Sequence, residues 1–520
     1  MNLSRIARRG YMLGLALEHG ARRTPEARVR LDRPLDAFPG AGVDLSYATV
    51  HRLAREAEAA LDAAGVDRGQ RVAIVKANHI DVFLLATAVS RLGAVPALLS
   101  AQLDPLSLAD LLERLQPDVL LTDQATWTSS PLADVESRLL PKTILSVDGS
   151  PPGAQPLPAA TELDRPPVLP SSLEDPSVIT HTSGTTGTPK LVVQTVRSFA
   201  EIVALSVRGP KLMGMKETVG IHLAFTHWRS TTGAAGLLLA GWPAVVLSDP
   251  DPEAAGVLFE RHRPGVVESH PNTLIEWQGL ADRGGAFDNV RVFTSTFDAA
   301  HPSVIDRLLA SSRRGGAMYL QVYGQSEVGP ITIRPYSRRS LQQADGRCVG
   351  YPVPLYSRFR IATDGKSSTG SAQGRIEVRT RGRSATYMGE EGRYGAKLAD
   401  GWWDMTDIGF KSRWGCLHLL DRKVDQDPAL YSLLEIEDKL LEEMPALLEV
   451  VLIPMSAGPP VPVVCTDEDG PFDHERWRLA TAGLHPLPPP VHVSWDRLPR
   501  TATAKVRRFE VRELLLAGRL

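Results

Sequence analysis

Short apolar runs alternate with helical patterns near the start of this chain, and this alternation limits the fold more than any other feature. Apolar residues at helical spacing cover Tyr47–Ala64, and the strand-like run Arg71–Lys76 follows. The same pair of patterns then repeats, with a helix at Val82–Leu92 and a strand at Val95–Leu99. Parallel strands need crossover helices, and these helices cover the faces of the sheet. The sequence therefore predicts an α/β fold with layered, mostly parallel sheets.

The pattern changes twice towards the carboxyl terminus. Short alternating strands around Arg358–Arg379 predict a small β-subdomain that closes the larger one. After Arg422, about one hundred residues carry a compact strand and helix pattern. Because 520 residues exceed what one compact core accommodates, we predict two domains. The large domain covers residues 1–421, and the small α+β domain covers residues 422–520.

Composition excludes several classes of protein. The net charge of −2 provides no overall field to attract nucleic acid or an acidic membrane. No apolar run reaches the length that spans a bilayer, so we expect no stable membrane insertion. The three cysteines, Cys348, Cys416 and Cys465, show no CxxC spacing. We therefore expect neither a disulfide framework nor a cysteine-based zinc site. The same pattern suits a reducing cytoplasm, which is the expected location.

A loop dense in glycine and threonine follows the strand-like Val178–Ile179. Its glycines let backbone N–H groups approach an anion, and its hydroxyls and lysine add donors for phosphate oxygens. The spacing is not GxxxxGK[ST], so the loop is not that of the P-loop kinases and GTPases. The loop predicts a phosphate-binding site made of Thr182, Ser183, Gly184, Thr185, Thr186, Gly187, Thr188, Pro189 and Lys190.

This loop resembles the phosphate-binding signature of the adenylate-forming superfamily, which includes acyl-CoA synthetases, adenylation domains of peptide synthetases and luciferases. Four later segments resemble further elements of that family, in the same order, namely Tyr323–Glu327, Trp402–Gly409, Asp421–Arg422 and Pro499–Lys505. The resemblance covers nearly the whole chain. It implies an AMP-forming ligase that uses ATP and Mg²⁺ and carries a small mobile C-terminal domain.

The resemblance also implies which residues hold the nucleotide. Tyr323 would lie against adenine, Ser326 would donate to phosphate, and Gly324 between them would be a further nucleotide-binding residue. Asp407 would accept the ribose hydroxyls, and Arg422 would close on the same ribose.

Two charged residues are implied to act directly on the reacting phosphates. Glu327 would be a ligand of Mg²⁺, since carboxylate oxygens suit this cation. Lys505 would bridge the attacking carboxylate and the α-phosphate, where a compact cation stabilises developing charge. Together with Arg422 they form the predicted catalytic set.

The substrate pocket is indicated by position only. The segment Phe225–Arg229 resembles the family's acyl-binding segment, so the candidates there are His227, Trp228 and Arg229, with His270 and Phe297 further along the chain. Arg229 would either neutralise a second anionic group on the substrate or pair with a local acid, and we expect the pairing. No aspartate stands where peptide synthetases hold an α-amine, so an α-amino acid is not the expected substrate.

The segment after Arg422 departs from the acyl-CoA synthetase pattern. Val424 stands where those enzymes have a hinge aspartate or lysine, and the loop Gln426–Ser432 contains Pro428 but no glycine. In the family this loop approaches the thiol of CoA, which favours glycine, whereas proline removes an N–H donor. Ala504 also replaces a glycine of the family's terminal signature.

Two functions therefore remain open. The chain is either an acyl-CoA ligase that adenylates a carboxylic acid, or an enzyme that adenylates without forming a CoA thioester. The second group includes β-lactone synthetases. It also includes diazotases, and these enzymes activate nitrite with ATP and join it to an aromatic amine. The acceptor would be CoA, an amine or a carrier protein. A nucleotide-binding protein without catalysis is the third hypothesis, and the joint presence of Glu327, Asp407, Arg422 and Lys505 argues against it.

Overall fold

The structure is a computed structural model that describes residues 11–129, 132, 135, 137–160, 163, 165–182, 189–212, 214–296, 300–341, 347–363, 373–422, 433–444, 446–455, 458–466, 472–484, 487–501 and 505–520. Its strands are β1 Arg28–Leu31, β2 Asp44–Ser46, β3 Arg71–Lys76, β4 Val95–Ser100, β5 Val119–Thr122, β6 Thr143–Ser146, β7 Gln155–Pro156, β8 Pro176–His181, β9 Leu191–Thr195, β10 Val219–His222, β11 Ala244–Leu247, β12 Val266–Ser269, β13 Val292–Ser295, β14 Met318–Gln325, β15 Gly329–Tyr336, β16 Cys348–Pro352, β17 Ser357–Ala362, β18 Gly374–Thr380, β19 Thr386–Tyr387, β20 Leu398–Ala399, β21 Trp402–Lys411, β22 Leu417–Arg422, β23 Leu447–Ile453, β24 Val461–Thr466 and β25 Val491–His492.

Helices connect most of these strands. The α-helices are Ala16–Arg23, Tyr47–Ala63, Asp81–Arg91, Pro105–Leu115, Gln124–Ser129, Val196–Leu212, Trp228–Ala240, Pro252–His262, Pro271–Glu276, Gln278–Arg283, Pro302–Ser311, Arg338–Leu341, Glu391–Gly395, Leu433–Glu443, His474–Thr481 and Arg508–Leu516. Short 3₁₀ turns are Leu13–Leu15, Pro39–Ala41, Ser137–Leu139 and Trp495–Arg497. Among the helices of the described ranges, none combines the length and apolar character that crossing a bilayer requires.

The described strands form three sheets. The largest has the order β17-β18-β21-β22-β16-β15-β14-β13-β12-β10-β11-β1-β2, with β20 paired to β21. The second has the order β19-β9-β8-β4-β3-β5-β6-β7, and the third joins β23, β24 and β25. Parallel pairing runs from β1 through β11, β10, β12 and β13 to β14, and again from β8 to β7. The predicted α/β class with layered, mostly parallel sheets is confirmed.

The early elements form where the sequence predicted them. Strand β3 occupies Arg71–Lys76, and its four central residues are fully buried, as expected for a strand covered on both faces. The helix Tyr47–Ala63 begins after Ser46, whose Oγ accepts the Thr49 N–H at 3.0 Å. The short strands near Arg358–Arg379 are β17 and β18, which continue the largest sheet in antiparallel order with β21 and β22.

The C-terminal region has an apolar core of its own. The helix Leu433–Glu443 packs against strand β23, and Leu440, Leu452 and Trp477 are buried together. This arrangement agrees with a small α+β unit behind the large one. The boundary between residues 421 and 422 stays a prediction.

The expectation of no disulfide was wrong. Cys348 in β16 and Cys416 just before β22 are bonded to each other, with 6.5 Å between their Cα atoms, and Cys465 is a buried free thiol. The two partners are 68 residues apart in sequence, and the pairing of β16 with β22 brings them together. No CxxC spacing is needed for such a contact, so the cysteine pattern carried no signal. His418 lies beside the pair, but bonded sulfurs are not the thiolates that bind metals.

Candidate active site

A cavity of about 760 Å³ opens where the parallel strands of the largest sheet end. Residues at or just after the carboxyl ends of β10, β13 and β14 line it, as do residues of the C-terminal region such as Glu449 and Lys505. Ligands of open α/β sheets bind outside the carboxyl ends of the strands. The fold therefore places the candidate site between its large and small parts.

The predicted phosphate loop connects β8 to β9. Its base is closed by two hydrogen bonds, from the Thr182 N–H to the Lys190 carbonyl oxygen at 3.0 Å and from the Lys190 N–H to Thr182 Oγ1 at 3.0 Å. Ser183, Gly184, Thr185, Thr186, Gly187 and Thr188 lie outside the described residues. The two ends, Thr182 and Lys190, both line the cavity.

Lys190 and Glu327 form a buried polar centre with Tyr387. The Tyr387 hydroxyl donates to Glu327 Oε1, and Lys190 Nζ lies 5.6 Å from the centre of the Tyr387 ring. Burial lowers the pKa of Lys190, and the Glu327 carboxylate partly opposes this effect. Burial beside Glu327 also raises the pKa of Tyr387, so its hydroxyl stays a donor. Sequence reasoning missed Tyr387, because nothing around it in β19 distinguishes it from a core aromatic residue.

Tyr323 and Asp407 meet across the sheet. The Tyr323 hydroxyl donates to Asp407 Oδ2 at 2.5 Å, although β14 and β21 are separated by other strands. Gln325 strengthens this link, since its Nε2 donates to the Met405 carbonyl oxygen at 2.6 Å. In the register of β21 with β22, Arg422 stands opposite Asp407. The side chain of Arg422 lies outside the described structure.

Gly324 allows the turn that follows Tyr323. The pairing of β14 with β15 shifts register between Tyr323 and Gly324. A Cβ atom at Gly324 would overlap the carbonyl oxygen of Gly329. The glycine is therefore required by a close approach between two backbones.

His227 links the nucleotide side of the cavity to the substrate side. Its Nε2 lies 3.4 Å from Ser326 Oγ, and its Nδ1 accepts the Arg229 N–H at 3.1 Å. Burial lowers the pKa of His227 to about 3, helped by His181 and by the charges of Lys505 and Arg229. The ring is thus neutral at pH 7. With Nδ1 accepting, the proton sits on Nε2 and points towards Ser326.

Lys505 reaches this cavity from the C-terminal region. Its N–H donates to Thr501 Oγ1 at 3.2 Å, and the Thr501 N–H donates to the Lys505 carbonyl oxygen at 2.8 Å. Its charge contributes to the low pKa values of both His227 and His270. The Trp495 indole N–H donates to Glu276 Oε1 of the large part at 3.0 Å. The predicted catalytic lysine therefore lies in the same cavity as Glu327, Ser326 and His227.

Of the other substrate-pocket candidates, one lines the cavity, one lies behind its wall and one is outside the described residues. Trp228 is buried and lines the cavity. His270 is buried behind the wall, where its Nε2 accepts the Ala224 N–H at 3.0 Å, and burial lowers its pKa. Phe297 lies outside the described residues.

Arg229 pairs with an acid, as expected from the sequence. Its Nε donates to Glu268 Oε1 at 2.6 Å and its Nη2 to Glu268 Oε2 at 2.7 Å. Both residues line the cavity. Glu268 was missed, although a carboxylate within the apolar strand Val266–Ser269 is a usable signal, because buried charges need partners.

The chain matches the model of the AMP-binding enzyme family over residues 17–388. It is 40% identical to a 3-amino-2-hydroxy-4-methoxybenzoate diazotase of Streptomyces cremeus, over 99% of this chain and 97% of that protein. It is 26% identical to a 3-hydroxybenzoate–CoA ligase of Aromatoleum sp. (strain CIB), over 95% of this chain and 96% of the ligase. An amide bond synthetase from Marinactinospora thermotolerans has a similar fold, with a TM-score of 0.77, 22% identity, and coverage of 97% of this chain and 99% of that one.

Proposed function

We propose that this chain, which belongs to the AMP-binding enzyme family and is an ATP-dependent adenylate-forming ligase, activates nitrite and couples it to an aromatic amine. The observation that carries the proposal is the 40% identity with a diazotase along essentially the entire chain. The departure after Arg422 supports it, because a loop without glycine suits an acceptor other than CoA.

The proposed reaction has three steps. A nitrite oxygen attacks the α-phosphorus of ATP, pyrophosphate leaves, and a mixed anhydride of nitrite and AMP forms. The amine nitrogen then attacks the nitrogen of that anhydride, AMP leaves with the bridging oxygen, and the amine loses a proton. An N–N bond results. The remaining oxygen then takes the last proton of the amine nitrogen and one proton from solvent and leaves as water, which gives the diazonium group.

Six side chains are proposed to hold ATP and to stabilise its charge. Lys190, with the loop that begins at Thr182, would neutralise the leaving phosphates, and Ser326 would donate to the α-phosphate. Lys505 would stabilise the charge that develops during attack. Asp407, with Arg422 opposite it, would hold the ribose, and the ring of Tyr323 would support adenine. The two domains would meet at the 421/422 boundary.

Glu327 is the proposed ligand of Mg²⁺. It is 5% exposed, and the Tyr387 hydroxyl binds one of its oxygens, which leaves the second oxygen for a cation. A hard carboxylate oxygen suits this metal. Bound there, Mg²⁺ would withdraw charge from the phosphates of ATP.

Product analysis tests the proposal. The protein is incubated with MgATP, isotopically labelled nitrite and an aminohydroxybenzoate, with and without CoA, and AMP and organic products are identified by mass. We expect AMP release that requires nitrite, a product carrying the labelled nitrogen, and no effect of CoA. Release of AMP that requires CoA and an aromatic acid, but not nitrite, would refute the proposal.

The second candidate is an aryl-CoA ligase. The likeness to the 3-hydroxybenzoate–CoA ligase favours it. In the same assay it would form a CoA thioester of the aromatic acid, which mass analysis separates from a diazo compound.

A further inference from the structure

The ion pair of Arg229 and Glu268 is a concentration of charge in the wall of the substrate cavity. Glu268 is 5% exposed, and the Arg229 side chain is 28% exposed. Phe225, Leu237 and Leu320, which also line the cavity, are apolar. The pair therefore offers an aromatic ligand a polar anchor beside apolar walls.

Stability does not explain why the pair is there. Arg229 lies in the first turn of the helix Trp228–Ala240, where the helix dipole disfavours a positive charge. Buried ion pairs generally contribute no more than well-packed apolar residues of similar volume, because both charges lose their hydration. An ion pair that adds little stability and stands at a cavity wall is suited to recognition of a ligand.

The guanidinium has donors left over. It carries five N–H groups, of which Glu268 takes two on the edge formed by Nε and Nη2. Ser206 Oγ accepts one more from Nη1 at 3.3 Å. Within the described part of the chain, no further acceptor binds Arg229, which leaves one N–H on each terminal nitrogen. Two such N–H groups match the two oxygens of a carboxylate.

The position of the pair defines which end of a substrate it would hold. The Arg229 N–H binds His227 Nδ1, and Nε2 of the same ring points to Ser326 Oγ. His227 thus separates the side of Ser326 and Lys505, where activation is proposed, from the side of the ion pair. A ring spanning the two would present one substituent to each.

We propose that Arg229, held by Glu268, binds the ring carboxylate of the aromatic amine and is the residue that selects aminobenzoates over simple anilines. This inference rests on the proposed function, since it names the acceptor of the activated nitrite. The amino group of such a substrate lies towards Lys505, and its carboxylate lies on the outer edge of the guanidinium. Burial lowers the pKa of Arg229, but the charge and hydrogen bonds of Glu268 outweigh it and raise that pKa above its ordinary value, so the anchor stays charged.

Two amines that differ only in the carboxylate provide the test, namely 3-amino-2-hydroxybenzoate and 2-aminophenol. The principal variant replaces both partners, Arg229→Met with Glu268→Met, because no lone charge is then buried and folding is retained. Arg229→Lys keeps the charge but loses the parallel pair of donors. The control replaces an exposed pair of the same geometry, Arg307→Met with Asp282→Asn, where Nε and Nη2 bind the carboxylate at 2.9 and 2.6 Å.

The expected result is a change in selectivity. The KM for the aminobenzoate rises at least about tenfold in the double variant, as for loss of a charge-assisted hydrogen-bond pair, while the KM for 2-aminophenol changes less than about threefold. The KM of Arg229→Lys for the aminobenzoate lies between those of the parent and the double variant. The control pair keeps the parent ratio of the two KM values. A double variant that keeps the parent ratio overturns the inference.

A failure of the proposed function is recognised separately. If the unaltered protein forms no N–N product from either amine, the proposed coupling of nitrite is wrong. Calorimetric binding of the aminobenzoate in the presence of AMP then decides whether Arg229 is a carboxylate anchor. Binding that is lost in the double variant supports the anchor. Equal binding by both proteins overturns it.

Discussion

Reduction of the Cys348–Cys416 disulfide is expected to loosen the seam at which the two halves of the largest sheet meet. Strand β16 pairs with β22 at only two positions, with a register shift between them. On one side of this seam lies β14 with Tyr323, and on the other lies β21 with Asp407. The disulfide crosses the seam, so it ties together the two strands that carry the proposed nucleotide contacts.

The magnitude follows from the length of chain that the bond closes. A separation of 68 residues corresponds to roughly 15 cal/mol/K of chain entropy, which is about 4.4 kcal/mol at 25 °C. Because every 1.4 kcal/mol is a tenfold change, amides that exchange by opening of this region should exchange about a thousandfold faster after reduction. The variant Cys348→Ala with Cys416→Ala should behave like the reduced protein.

Hydrogen exchange followed by mass spectrometry measures this effect in β16, β21 and β22, with and without a phosphine reductant. Cys465→Ala is the control, because Cys465 lies in β24 and takes no part in the bond. Alkylation in denaturant should label one cysteine before reduction and three afterwards. Labelling of three without reductant would show that no disulfide forms, and unchanged exchange after reduction would refute the chain-entropy argument.

Three further outcomes are expected. Lys505→Ala should reduce ATP–pyrophosphate exchange to near background, and near-normal exchange would remove its role in adenylation. Gly324→Ala should weaken ATP binding in calorimetry at least about tenfold, because the new Cβ overlaps the Gly329 carbonyl oxygen, whereas Gly392→Ala, where a Cβ meets nothing, should not. Stability in urea should fall as the pH drops below about 6.5. Burial lowers the pKa of His270, so the unfolded chain takes up a proton that the folded chain does not bind. The free energy of unfolding then falls by about 1.4 kcal/mol per pH unit for this histidine. A urea midpoint that stays constant between pH 6.5 and pH 5 would contradict this.

Sequence reasoning succeeded where local chemistry determines the outcome. Strand Arg71–Lys76 contains the continuous apolar run Val72–Val75, which is fully buried, as expected for a strand covered on both faces. The motif residues Tyr323, Ser326 and Asp407 were recognisable by their resemblance to family motifs, and the structure brings all three to the wall of one cavity. Their roles in nucleotide binding stay predictions. The structure adds that Tyr323 and Asp407 are in direct contact.

Features that depend on long-range pairing could not be predicted. Cys348 and Cys416 carry no local pattern, and only the neighbouring strands bring them together. Tyr387 is far in sequence from Glu327, yet its hydroxyl binds that carboxylate. The partner of Arg229 was expected in kind, as an acid, but its identity as Glu268 required the sheet.

The hydrogen bond from Trp495 to Glu276 has a consequence for turnover. It joins the segment that leads to Lys505 to the large part of the molecule, and the Arg500 guanidinium stacks 3.9 Å above the centre of the Trp495 ring. One such bond contributes about 1 kcal/mol, a factor of about 5 in population. This bond helps to hold Lys505 at the cavity, and hydrogen bonds to water can replace it. If the proposed intermediate reaches its acceptor through a movement of the segment that carries Lys505, this one bond would oppose that movement by only about 1 kcal/mol.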